Sequence, residues 1–253
     1  MGRYSGLWTS DQPHFQLTKE GKGFLGMFQV DWEMGAQQGS IRGSRRITDR
    51  QRNFPFLTEL RYLPMMMEYS LYRFQGAEKK YPSPEWVFSA TEFLEGEIKA
   101  RQKVLQFGMN HGSLWMLQRA THLTVLESDM PVAAELMYFM DTEAEDYPSF
   151  IKQNLHVEIC GGAEKLVYLE GFPDNYFDYL IVDNLQTQVY PEATIALAIS
   201  KLKKDGWCVL HQSDLPNNHL AVSYLDKHLP SLRFTGFTPI DCFISQTRMW
   251  KKV

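Results

Sequence analysis

The sequence predicts an α/β fold: a doubly wound, mostly parallel sheet with helices on both faces and a C-terminal antiparallel hairpin strand, preceded by a smaller N-terminal appendage. Three observations predict it. From Trp86 onward, short apolar runs alternate with helix-like segments, the pattern of buried strands joined by crossover helices. Two of those runs end in acids, "TVLESD" and "YLIVDN". The chain finishes on two apolar runs separated by a Gly/Pro/Asp turn, "LRFTGFTPIDCFISQTRMWKK". That turn leaves no room for a crossover helix, so one of the two strands runs antiparallel.

Taken in order, residues 1–82 form the accessory, substrate-covering region and residues 83–253 the main domain. The first fifty residues are Gly-rich, which suggests short strands and turns. "TDRQRNFPFLTELRYLPMMMEYSLYRF" has helical apolar spacing, broken by Pro55 and Pro64, and Met65, Met66 and Met67 read as core. Ser83-Pro84-Glu85 looks like a helix start with Pro at the first helical position, predicting a helix over 84–98. Strands are expected at 103–107 and 123–127, with helices near 113–120 and 132–140. "HVEIC" is a short strand and "FDYLIVDN" a near-continuous apolar one that ends in an acid. "PEATIALAISKLKKDG" reads as a helix ending at Gly206, "WCVLHQ" as a buried strand, and 218–228 as a helix.

Composition narrows the function classes. The 253 residues carry a net charge of −4, a field that disfavours nucleic acid as a partner. No apolar run reaches the roughly 18 residues of a membrane helix, and the N-terminus lacks the apolar centre of a secretory signal. Cys160, Cys208 and Cys242 are far apart in apolar runs, as buried thiols would be. The expectation is a soluble cytoplasmic protein, with its oligomeric state open.

In such a sheet, ligands sit beyond the carboxyl ends of the strands. Four strand ends therefore matter: "QFGMNHGS", Glu127-Ser128, Asp183-Asn184, and His211-Gln212-Ser213-Asp214. Gly108 allows a sharp turn at little steric cost. Glu127 lies nineteen residues beyond Gly108, at the distance of an acid that accepts hydrogen bonds from ribose hydroxyls.

The stretch from Val104 to Asp129 resembles the class I S-adenosylmethionine-dependent methyltransferases, which are Rossmann-like. It is especially similar to a branch reading roughly E-Y-G-S-G-x-S-T-L-W before a strand that ends V-E-x-D. Gly108, Ser113, Leu114 and Trp115 match the loop, and Glu127 and Asp129 match the acidic strand end. "LKKDGWCVLHQSD" and the closing hairpin are similar to the family's last elements, so the likeness covers about residues 84–253. Two positions depart from it: the family's acid is Gln106 here, and its second glycine is Asn110.

The resemblance implies S-adenosyl-L-methionine as cofactor. Its binding residues would be Gln106, Gly108, Asn110, Ser113, Glu127, Ser128 and Asp183, with Gly162, Ala163 and Glu164 at the adenine. It further implies O-methylation of a small polar acceptor, such as a saccharide or sugar conjugate. His211, Asp183 and Asp214 stand where the reaction would occur. His211 titrates nearest neutrality and is the leading base, with Asp183 second and Asp214 orienting it or touching acceptor hydroxyls. Two acids alone make a thin oxygen ligand set for a metal, so the reaction is expected to be metal-independent. Arg42, Arg45, Arg46, Arg50 and Arg52 are either a solvated face or an anion clamp. Two other readings stay open. Gln106 and Asn110 would suit a non-catalytic Rossmann-like binding domain that has lost its cofactor. A nicotinamide-dependent dehydrogenase would lack its GxGxxG.

Overall fold

The computed structural model describes residues 57–74, 82–99, 102–120, 122–142, 149–182, 191–239 and 244–253. The five parallel strands are β1 (Lys103–Phe107), β2 (His122–Glu127), β3 (Leu155–Ile159), β4 (Phe177–Val182) and β5 (Leu202–His211). The hairpin strands are β6 (Ser231–Gly236) and β7 (Ser245–Lys251). They form one seven-stranded sheet in the order β3-β2-β1-β4-β5-β7-β6. β7 is antiparallel to both neighbours, so the closing hairpin inserts its last strand between β5 and the edge strand. This is the Rossmann-like α/β architecture that the sequence predicts.

A 3-10 turn, Leu57–Tyr62, leads into α1 (Leu63–Phe74), and α2 (Phe88–Glu97) precedes the sheet. The crossovers carry α3 (His111–Leu117), α4 (Met130–Thr142), α5 (Ser149–Lys152), α6 (Glu164–Glu170) and α7 (Pro191–Lys201); α8 (His219–His228) follows β5. Side chains alternate across each strand, which divides the core between two faces. Val104, Leu123, Val125, Ile181 and Val209 pack with residues of α2, α3 and α4. Leu105, Phe107, Leu180, Val182 and Leu210 pack with residues of α6, α7 and α8. A smaller cluster of Tyr62, Met66, Phe88, Phe237 and Ile244 joins the 57–74 segment to the hairpin.

Several local expectations change. Pro84 does not open a helix: α2 begins at Phe88 with Val87 at its N-cap. Residues before it are held by the sheet instead, with Val87 N–H donating to Thr247 Oγ1 at 3.0 Å and Phe88 N–H donating to the Phe237 carbonyl at 2.9 Å. Gly206 is no helix terminus either. α7 stops at Lys201 and β5 starts at once, because Leu202 pairs with Phe177 across a register irregularity. Asp205 has φ 62 in that bulge, and a Cβ on Gly206 would lie 2.8 Å from the Asp178 carbonyl oxygen. Pro64 lies in the first turn of α1 rather than breaking it, and Pro55 lies outside the described residues. Of the three methionines only Met66 is core; Met65 and Met67 are exposed. Cys160 and Cys208 are buried free thiols, and Cys242 lies outside the described residues.

Candidate active site

Register brings the predicted strand ends to one edge. Phe107 pairs with Leu126 on one side and Val182 on the other, and Val182 pairs with Leu210. Gly108, Glu127 and His211 each stand one residue beyond that row. Strand spacing puts the His211 backbone roughly 10 Å from Gly108 and roughly 14 Å from Glu127. Parity does the rest. Gln106, Glu127 and His211 share the face of Val104, Val125 and Val209, under α2, α3 and α4.

Gly108 turns the chain in the left-handed region at φ 85, where only glycine sits without strain. Its N–H donates to the Leu126 carbonyl at 3.0 Å. Asn110 caps α3: its N–H donates to Ser113 Oγ at 3.0 Å, half of a capping box. Ser113 is buried and serves this cap. Gly112 is required by a close approach, since a Cβ there would meet Asn110 Oδ1 at 2.9 Å and Pro84 Cα at 3.1 Å. Gln106 is fully buried and donates from Nε2 to Asn110 Oδ1 at 3.4 Å.

Glu127 is 4% exposed and is met by three backbone donors. Oε2 accepts the N–H of Met109 at 2.5 Å. Oε1 accepts those of Ser128 at 2.6 Å and Asp129 at 2.8 Å. A carboxylate offers about four acceptor sites, so a place remains for a hydroxyl donor. Glu127 also holds the next loop, because its carbonyl accepts the Cys160 N–H at 2.8 Å.

In that loop, Gly162 is left-handed at φ 42, Ala163 and Glu164 are exposed, and Glu164 Oε2 accepts the Gly161 N–H at 3.0 Å. A Cβ on Gly161 would meet nothing within 4 Å, so space is open there. Lys165, which the sequence reading passed over, is 2% exposed. Burial pulls its ammonium below the ordinary lysine value, against the attraction of Cys160 and Glu127. An alternating charge pattern at a helix start gives no sign of such burial.

The turn after β5 is tight. Gln212 has φ 51, and Asn218 Nδ2 donates to the Gln212 carbonyl at 2.9 Å. His211 and Asp214 are both buried on this turn, 4% and 2% exposed. Ser213 Oγ donates to Gln246 Oε1 at 2.9 Å, tying the turn to β7. Asp183 and Asn184 lie outside the described residues, as do Arg42, Arg45, Arg46, Arg50 and Arg52.

The fold has counterparts among solved structures. An rRNA methylase from Streptococcus thermophilus aligns with 68% of this chain and 98% of its own, at 12% identity and a TM-score of 0.50. The two chains share one Rossmann-like α/β fold. At this identity the likeness is one of fold. Spermidine synthase from Thermotoga maritima is 21% identical over 60% of this chain, with a TM-score of 0.47. The chain spans about half the length of spermidine synthase structures that it matches, 53% and 55% in two of them. No protein-family profile and no curated protein matches the sequence. On this sheet, the Gly108 turn and the Glu127 carboxylate share the edge at which β1 and β4 diverge, the switch point where such sheets take ligands.

Proposed function

We propose that this chain is an S-adenosyl-L-methionine-dependent methyltransferase acting on an oxygen of a small polar acceptor, with a saccharide or sugar conjugate as the first class to test. The observation that carries the reading is the buried Glu127 carboxylate beside the left-handed Gly108 turn, on a sheet of methyltransferase topology. The residues fit the cofactor. Glu127 accepts from ribose hydroxyls, the open loop at Gly161, Gly162, Ala163 and Glu164 faces the base, and Gln106, Gly108 and Asn110 border the amino-acid end. Ser128 flanks the ribose, and Ser113 acts through the Asn110 cap. When bound, the sulfonium supplies an already activated methyl group.

The chain's own work is then alignment, exclusion of water and removal of one proton. His211 takes that proton in this reading, with Asp214 as its neighbour on the turn and Asp183 as the second candidate. Among the described residues no helix is long and apolar enough to cross a membrane, and the acceptor is taken to be a small molecule rather than a lipid. The test is calorimetric titration with S-adenosylhomocysteine, followed by methyl transfer to a panel of sugars. Saturable binding with transfer to a hydroxyl supports the reading.

One observation favours a second reading. The Gln106 amide is turned onto Asn110, which closes the glycine turn upon itself with no acid at its base. A non-catalytic binding domain would show this, and would give no S-adenosylhomocysteine binding at about millimolar concentration, a free energy weaker than roughly −4 kcal/mol.

A further inference from the structure

A recess of about 470 Å³ opens at the far edge of the sheet, among the 57–62 turn, α2 and β6. Its volume lies in the roughly 300–1,000 Å³ range of small-ligand sites. It is separate from the Gly108–Glu127 edge: β6 is four strand steps from β1, or roughly 19 Å. Val87 lies between the recess and the row of His211: its N–H donates to Thr247 Oγ1 at 3.0 Å, and Thr247 is the strand partner of His211. The Val87 side chain sits against Gly236, beside Glu59.

Glu59 lines this recess and is 6% exposed. Its Oε2 is buried with no hydrogen-bond partner among the described residues. Its surroundings supply little compensation. Ser89 donates to the carboxyl, but burial outweighs that bond and the charge of Arg61, and pushes the carboxyl above its ordinary value. Arg61 is already bonded to Glu92 at 2.5 Å, and the Tyr62 hydroxyl donates to the same Glu92 oxygen. Two aromatic rings line the same recess, Phe93 and Phe234, with centroids 5.6 Å apart. A buried carboxylate oxygen lacking a donor, as Oε2 does, is costly, and native proteins retain few such groups without a role. Aromatic rings beside it attract organic cations.

We propose that this recess binds a small organic cation, an ammonium or guanidinium group on an apolar body, with Glu59 accepting its N–H and Phe93 and Phe234 packing its carbon skeleton. The site stands apart from the cofactor edge and does not depend on the methyltransferase reading. Ser89 holds the Glu59 carboxyl in place; the Arg61–Glu92 pair and the exposed Arg233 also line the recess, and an entering cation passes the Arg233 charge.

The test uses the full chain and three probes of one shape: benzylamine, benzyl alcohol and benzoate, titrated by NMR at pH 7. Benzylamine is expected to bind at least about tenfold more tightly than either other probe, with shifts at Ser89, Phe234 and Gly236. Glu59→Gln keeps the shape, removes the charge, and should weaken benzylamine by at least about tenfold while the thermal midpoint holds or rises. Equal affinity for all three probes, or no benzylamine binding at about 10 mM, overturns the proposal. So do shifts confined to Gly108 and Glu127, or unchanged binding by a folded Glu59→Gln protein. The probe series needs no variant, so it decides the matter even if Glu59→Gln fails to fold.

Discussion

Glu127 Oε2 accepts the backbone N–H of Met109 at 2.5 Å, so the acid that ends β2 holds the turn that follows β1. The same carboxylate holds its own loop through Ser128 and Asp129. Glu127 is therefore a structural clamp before any ligand arrives, and a ribose must share it.

That dual role predicts a dual loss. Glu127→Ala leaves three N–H groups without their acceptor; the Met109 donor is buried and costs roughly 1–3 kcal/mol unsatisfied, while those of the exposed Ser128 and Asp129 can turn to water. Chemical denaturation should show a stability loss within or above that range. S-adenosylhomocysteine affinity should fall at least about tenfold, read by calorimetry well below the variant's melting point. Glu127→Gln keeps Oε1-type acceptance for part of the loop and should lose less stability while still binding weakly. Wild-type affinity in either folded variant removes Glu127 from the ribose assignment.

The glycines separate packing from binding. Gly206→Ala drives a methyl to 2.8 Å from the Asp178 carbonyl oxygen and 2.9 Å from that of Lys203, and should cost roughly 1–3 kcal/mol of stability. Gly161→Ala enters open space and should melt within about 0.5 kcal/mol of wild type, yet weaken S-adenosylhomocysteine if that loop meets the base. A stability loss in Gly161→Ala larger than in Gly206→Ala would contradict the contacts described above.

Lys165 predicts a pH dependence. Its folded pKa is depressed by burial, so the native state favours the neutral amine. Its contribution to stability is present above the unfolded lysine value and lost as pH falls through the depressed one. At neutral pH the charged form is a net burden, and Lys165→Met should raise the thermal midpoint there. The gain should shrink as pH climbs through the depressed value toward 10.5, the ordinary value. Melts of both proteins from pH 7 to the alkaline limit of folding check this, and a gain that grows with pH would overturn it.

The base assignment is checked by turnover. His211→Ala should lower kcat by roughly 10²–10⁴-fold with little change in S-adenosylhomocysteine affinity, and Asp214→Asn should lose less. EDTA should leave the wild type active. Activity lost in EDTA and restored by Mg²⁺ would assign the proton step to a metal, and full activity in His211→Ala would leave Asp183 to be tested next.

Hydrophobic pattern alone determined β1, β2, β4 and the second half of β5, because strands covered on both faces are largely apolar, as the runs around Val104, Leu123, Ile181 and Val209 are. It also determined the antiparallel finish, since the turn between the last two runs cannot hold a crossover. Gly108 and Glu127 were legible as strand-end residues for the same reason. Only the tertiary structure decided what those residues touch. Met109 N–H reaches Glu127 because β1 and β2 are neighbours in register, a fact about pairing that no local pattern contains. Gly206 is a bulge rather than a helix end because Leu202 pairs with Phe177, and Pro84 lies outside the helix because Val87 bonds Thr247 on the distant last strand. Glu59 reads as an ordinary surface acid in its own segment. Its burial comes from Gly236, well over a hundred residues away in sequence, whose missing side chain leaves the room that the carboxylate fills.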